Sequence, residues 1–238
     1  MTGARARRSG VQATVGMIVE GDAEFATFPR MHKEVAASLW PPIKAINLGG
    51  VGSDLEPQGI AARIVPKIIQ LHVGKVERVV VCFDREQRDQ CVVAFANAVT
   101  AAIHAKLREK GRPDLHFAVV IADRCFEAWL LAGAASLTAN GSFKSLPSTV
   151  CFEGSMGERK RKGVLELNKA LGRDYRKTTD GPKLFLEMDH VASADHGPGK
   201  RGSRSLRKLH KELGGRVPCD PPVNWRAREI DTLAVTRQ

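Results

Sequence analysis

Four short, mostly apolar runs constrain this 238-residue chain more than any other feature: ATVGMIV (13–19), WPPIKAIN (40–47), VERVVVCF (76–83) and LHFAVVIA (115–122). Each is far too short to span a bilayer. The clearest of them are apolar throughout rather than alternating, as strands buried on both faces are. Helical spacing fills the intervals. Phe25, Phe28, Met31, Val35 and Leu39 fall on one helix face, with Pro29 set to kink or restart it. Ile60, Ile64, Ile68 and Leu71 make a second face, with Pro66 an irregularity. Val92, Phe95, Val99, Ile103 and Leu107 mark a helix over about 89–110, and FEAWLLAGAASL (126–137) another. Strand–helix–strand alternation of this kind predicts an α/β fold whose mainly parallel sheet is flanked by helices.

Beyond about residue 140 the pattern weakens. A basic helix is expected over ERKRKGVLELNKALG (158–172) and a last one over SRSLRKLHKEL (203–213). The expected organisation is a basic tail (1–11), an α/β core (12–140), a basic and mainly helical extension packed on that core (141–216) and an irregular C-terminus (217–238). No internal repeat is visible.

The net charge of +11 is unevenly placed. Residues 9–153 carry 15 basic and 15 acidic side chains, whereas residues 155–216 carry 16 basic and 8 acidic. A polyanion such as nucleic acid is the partner such a stripe fits, the alternative being a solvated basic surface. Within it, Arg159, Lys160, Arg161 and Lys162 form either a backbone-phosphate patch or a solvated helix start. One Tyr and few aromatics argue against base stacking as the main binding mode. The start, MTGARARRSG, lacks the apolar segment of a secretory signal, and the five Cys show no C-x-x-C or zinc spacing. A reducing cytoplasm is therefore the expected location, with no membrane involvement.

The chemistry concentrates where the strands stop. The first run ends in Glu20, followed by Gly21, Asp22 and Glu24; the third ends in Asp84, with Glu86 two residues on; the fourth ends in Asp123, with Glu127 opening the next helix. Ligands of open α/β sheets bind outside the carboxyl ends of the strands. Carboxylates gathered there are the hard oxygen donors that Mg²⁺ or Mn²⁺ takes. The competing reading is dipole complementation in the first turn of helices, which accounts for Asp22 and Glu24 and leaves Asp123 open.

These residues resemble the Toprim domain, the metal-binding module of topoisomerases, primases and OLD-family nucleases. IVEGDAE (18–24) is similar to its first motif and VVVCFDRE (79–86) to its second, although the usual Asp-x-Asp reads Asp84-Arg85-Glu86 here. DRCFEAWLLAG (123–133) and YRKTTDGPKLFLEMD (175–189) resemble segments of small bacterial Toprim-like proteins, including the RloB type. The resemblance spans roughly 15–213. It implies a Toprim-like Rossmannoid fold, with Glu20 in metal binding or general acid–base work and Asp84 and Glu86 on the metal. Glu127 is a further catalytic acid by that analogy or an ordinary helix-start residue, and Glu24 and Asp123 are supporting or alternative acids. Tyr175 and Lys177 would meet phosphate, or lie in a solvated turn. The resemblance also implies association with an ATPase in phage defence.

Other active-site signatures are missing. There is no G-x-x-x-x-G-K-[ST], no H-E-x-x-H and no G-x-S-x-G, and LGGVGSDLEPQG (48–59) is not a dinucleotide fingerprint. Three functions remain: a metal-dependent nuclease acting on RNA or DNA, a non-catalytic nucleic-acid-binding or ATPase-partner subunit with a degenerate pocket, and a receiver-like regulatory domain. The last would want Ser/Thr and Lys at later strand ends, which VVIADR does not supply.

Overall fold

The computed structural model describes residues 13–36, 40–52, 54–86, 88, 90–147, 162–195 and 202–214. Four parallel strands, β1 (Val15–Val19), β2 (Ile43–Asn47), β3 (Arg78–Asp84) and β4 (Phe117–Ala122), form one sheet in the order β2-β1-β3-β4. The register runs from Val15 opposite Ile43 and Arg78 to Asp84 opposite Ala122. Parallel pairing sends all four carboxyl ends to one edge.

Successive residues of the strands enter different cores. Val15, Met17, Val19, Val80, Cys82, Val120 and Ala122 face one side, and Ile18, Val79, Val81, Phe83, Val119 and Ile121 face the other. Because both sets are apolar, the strands read as continuous runs. Two long helices cover the second side. In α3 (Pro57–Val73) Ile60, Ile64, Ile68 and Leu71 are buried as the spacing predicts, and in α4 (Val92–Glu109) Phe95, Val99, Ile103 and Leu107 are. Pro66 lies on the exposed face of α3 and does not end it.

The first side is covered by shorter pieces: α1 (Asp22–Thr27), a 3-10 turn (Phe28–Arg30), α2 (Met31–Glu34), α5 (Phe126–Ala132) and α6 (Ala134–Ala139). Helices α7 (Lys162–Leu171), α8 (Lys177–Glu187), α9 (His190–Ala194) and α10 (Arg204–Glu212) follow on that side. Leu167, Phe185, Leu206 and Leu209 enter the same core as the strands. Pro29 restarts the helix after α1, as expected, because it occupies the first turn of the next element. One helix face differs from the spacing. Phe25 is 43% exposed, and Glu24 is buried in its place. The single expected helix over 126–137 is divided at Gly133.

An aromatic cluster closes this side. Phe28, Trp40, Phe126, Trp129 and Phe185 pack at ring separations of 5.2–6.4 Å. The His190 and His210 rings lie 5.2 and 4.7 Å from Trp40. Both nitrogens of His190, Nε2 of His210 and Nε1 of Trp40 are buried without hydrogen-bond partners. The edge-to-face geometry lets ring N–H groups lie against neighbouring π faces, a weak substitute. Burial holds His190 neutral down to about 4, with the His210 value lowered to about 3 by burial and by His190.

The unfolded chain binds protons at these histidines near pH 6.5, while the folded chain refuses them. Their contribution is therefore complete above that value and is lost as pH falls toward 4. Each histidine should remove roughly 2 kcal/mol of stability by pH 5. Melting curves at pH 7.5 and pH 5 are expected to show this drop, and a flatter pH dependence in His210→Phe. An equal slope in the variant would remove His210 as its cause.

Candidate functional site

In a sheet of this order the chain leaves β1 toward β2 on one face and leaves β3 toward β4 on the other. The carboxyl ends of β1 and β3 thus flank a crevice at the topological switch point. Glu20 spans it. One of its oxygens, Oε1, accepts the Val51 N–H at 2.8 Å, and Oε2 accepts the Asp84 N–H at 3.1 Å. Its carbonyl accepts the Gly50 N–H at 2.9 Å. The glycine loop after β2 can wrap this carboxylate because Gly49, Gly50 and Gly52 take φ of +71°, +89° and +72°. Glu20 therefore clasps the loop to the end of β3.

Behind the clasp lie three deeply buried acids. Glu24, Asp84 and Glu127 are only 4%, 7% and 4% exposed. The Glu24 carboxylate comes so close to the chain that a Cβ on Gly21 would stand 2.7 Å from Oε2, which explains a glycine directly after Glu20. That Oε2 has no hydrogen-bond partner. Burial raises the pKa of Glu24, with Lys177 opposing and Glu127 and Glu20 reinforcing the shift. Burial also raises Asp84 well above the usual carboxylate range, with Glu24 adding to it, Lys177 opposing, and Glu127 and Glu20 contributing further. The site thus holds more negative charge than its surroundings neutralise.

Lys177, the first residue of α8, supplies a counter-charge. Its side chain is 46% exposed, but its ammonium points inward, 3.9 Å from Glu127 Oε1. Burial works to lower its pKa, yet Glu127, Asp84 and Glu24 together raise it above the ordinary lysine value. Tyr175, the chain's one tyrosine, has a buried hydroxyl without a partner. Burial raises its pKa, reinforced by Glu127 and Glu24. The start of α8 is held rigidly. Arg173 forks onto both Asp180 oxygens at 2.7 and 2.8 Å, and Asp180 also accepts the Arg176 N–H at 2.8 Å.

The structure brings together Glu20, Glu24, Asp84, Glu127 and Lys177 from the sequence-derived set. Two other acids go elsewhere. Asp123 is ion-paired with Arg85 at 2.9 Å. Glu86 sits in a left-handed turn at φ +54°, where its N–H donates to the Arg124 carbonyl at 2.8 Å. Arg159, Lys160 and Arg161 lie outside the described residues, and Lys162 opens α7. Sequence reasoning understated Glu24, whose place depends on how α1 is rotated. It also assigned Lys177 to phosphate alone, whereas here Lys177 faces the acids. Among the described residues, no group of three or more His, Cys, Asp or Glu side chains is arranged to hold a metal ion. No helix among them is long and apolar enough to cross a membrane.

A family model described as a domain of unknown function, DUF4276, matches residues 19–199. The chain belongs to the DUF4276 family. All five charged residues of the crevice lie within the matched DUF4276 segment, whereas α10 lies outside it. No curated protein and no solved structure matches the chain.

Acids whose pKa values are raised by folding lower stability as pH rises past their unfolded values, because the folded chain must give up protons it holds tightly. Neutral isosteres remove that penalty. Glu24→Gln and Asp84→Asn are each expected to raise stability at pH 8 by about 0.5–2 kcal/mol, read from thermal or urea unfolding. Destabilisation by both would mean that the carboxylates are well compensated after all.

Proposed function

We propose that this DUF4276 protein is a divalent-metal-dependent phosphodiesterase acting on nucleic acid, RNA or DNA. The observation that carries the reading is the convergence of Glu20, Glu24, Asp84 and Glu127 at the switch-point crevice, against the ammonium of Lys177. The donor chemistry fits a hard cation: all four are carboxylates, and Glu24 Oε2 is buried and unspent. Glu24, Asp84 and Glu127 would hold Mg²⁺ or Mn²⁺. When bound, such an ion supplies a Lewis acid for the phosphate and acidifies a water.

The chain's own residues divide the remaining work. Glu20 fixes the end of β3 through the Asp84 N–H and so aims the Asp84 carboxylate. Glu24, with its raised proton affinity and free Oε2, is placed to take the proton of the attacking water. Lys177 at the mouth, with exposed Arg176 and Lys183 on α8, offers positive charge to the phosphate backbone. The resemblance to Toprim proteins and the basic excess of residues 155–216 support the same substrate class. A partner ATPase, as the resemblance implies, belongs to the proposal as well.

A second reading draws on the lack of any three-ligand metal group among the described residues. On that reading the chain is a nucleic-acid-binding subunit without chemistry of its own. One experiment separates the two. Labelled structured RNA, single-stranded DNA and duplex DNA are incubated with the full chain in Mg²⁺, Mn²⁺ or EDTA. Cleavage that needs metal and falls by roughly 10²-fold or more in Glu24→Gln and Asp84→Asn is expected. Binding without cleavage under every metal condition, unchanged in both variants, favours the binding subunit.

A further inference from the structure

We propose that Lys177 occupies the cation position of this crevice while no metal is bound, and that its ammonium must leave that position for the site to load. The inference rests on the metal reading above and adds the step by which the site exchanges one cation for another.

The placement of Lys177 is unusual for a structural ion pair. An ammonium carries three donors, yet among the described residues Lys177 makes no hydrogen bond, and its nearest carboxylate oxygen, Glu127 Oε1, is 3.9 Å away. It is held by the summed field of Glu127, Asp84 and Glu24 rather than by one partner. A cation centred among several carboxylates in this way stands where a divalent ion would gain most. Two cations cannot share that position, because like charges a few ångströms apart in a site shielded from water repel strongly.

Two further groups show that the ammonium does not complete the site. Glu24 Oε2 and the Tyr175 hydroxyl are both buried and both without partners. Tyr175 is packed in tightly: a Cβ on Gly181 would stand 2.8 Å from its hydroxyl, so this group cannot turn away to find one. A hydrated divalent cation brings positive charge for the first and water oxygens for the second, neither of which a lone ammonium supplies.

The local mechanics favour exchange by a side-chain swing alone. The Arg173–Asp180 fork and the Arg176 N–H bond pin the backbone at the start of α8. The Lys177 stem, by contrast, is half exposed, and a four-carbon arm can carry its charge outward without moving the helix. Turned outward, the ammonium joins Arg176 and Lys183 on the exposed face of α8, where it can meet a phosphate oxygen.

The test uses Mn²⁺ alone, titrated into the full chain by calorimetry, with Lys177→Met and Lys177→Arg beside the wild type. Removing the competitor should tighten Mn²⁺ binding about tenfold in Lys177→Met, while Lys177→Arg, which keeps a cation there, gains nothing. Equal or weaker binding in Lys177→Met, with binding intact in the wild type, overturns the exchange but leaves the metal reading standing. Absence of Mn²⁺ binding in every form overturns both. A measurement on the wild type needs no variant to fold: with ¹⁵N-labelled lysine, the Lys177 Nζ resonance should move when Mg²⁺ is added. A resonance unmoved at saturating Mg²⁺ also overturns the exchange.

Discussion

Parallel pairing of β1 with both β2 and β3 is the constraint on which the rest depends. A parallel sheet needs a crossover between each pair of strands, and each crossover must pack on a face. The crossover from β1 lies on one side and that from β3 on the other, so the two strand ends diverge into loops that cannot cover each other. The crevice between them is a consequence of this winding, whatever the loops contain. Here the loops contain carboxylates, and the glycine turn after β2 folds back to hold the foremost of them.

Those carboxylates give the crevice its character. Burial alone disfavours their charge, and their mutual repulsion adds to it. Three acids less than a tenth exposed, with one ammonium more than 3.5 Å from its nearest oxygen, are a poor way to stabilise a fold. Elsewhere the same protein pairs its buried charges closely. Arg78 meets Glu212 at 2.5 Å and ties α10 to the sheet, and Arg85 meets Asp123 at 2.9 Å. The contrast separates charges that hold the structure from charges held by it for another purpose.

Much of this fold was legible from residue order. All four strands were expected within two or three residues of their observed limits, because strands apolar on both faces leave no ambiguity of face. The long helices α3 and α4 were equally plain, since each presents one apolar stripe to one sheet face. The short helices of the other side were harder. Phe25 was read as an inward residue of α1 and is exposed, because a six-residue helix joined to a proline turn can be rotated at little cost by its neighbours. The same rotation buries Glu24. Lys177 was recognised as a phosphate-binding candidate, but nothing local to YRKTTDGP relates it to acids some fifty to one hundred and fifty residues earlier.

The sequence by itself determined the strands, the direction of the sheet and the acids at its carboxyl edge, because hydrophobic periodicity and strand-end position are local properties. Only the tertiary structure decided which acids face one another. Asp123 and Glu86 stand near their strand ends as Asp84 does, yet an arginine takes the first and a left-handed turn holds the second. Whether a carboxylate is neutralised or left exposed to its own kind depends on what folds over it from elsewhere in the chain. In this protein that is α8, which carries Lys177 and Tyr175 to the crevice from beyond the last strand.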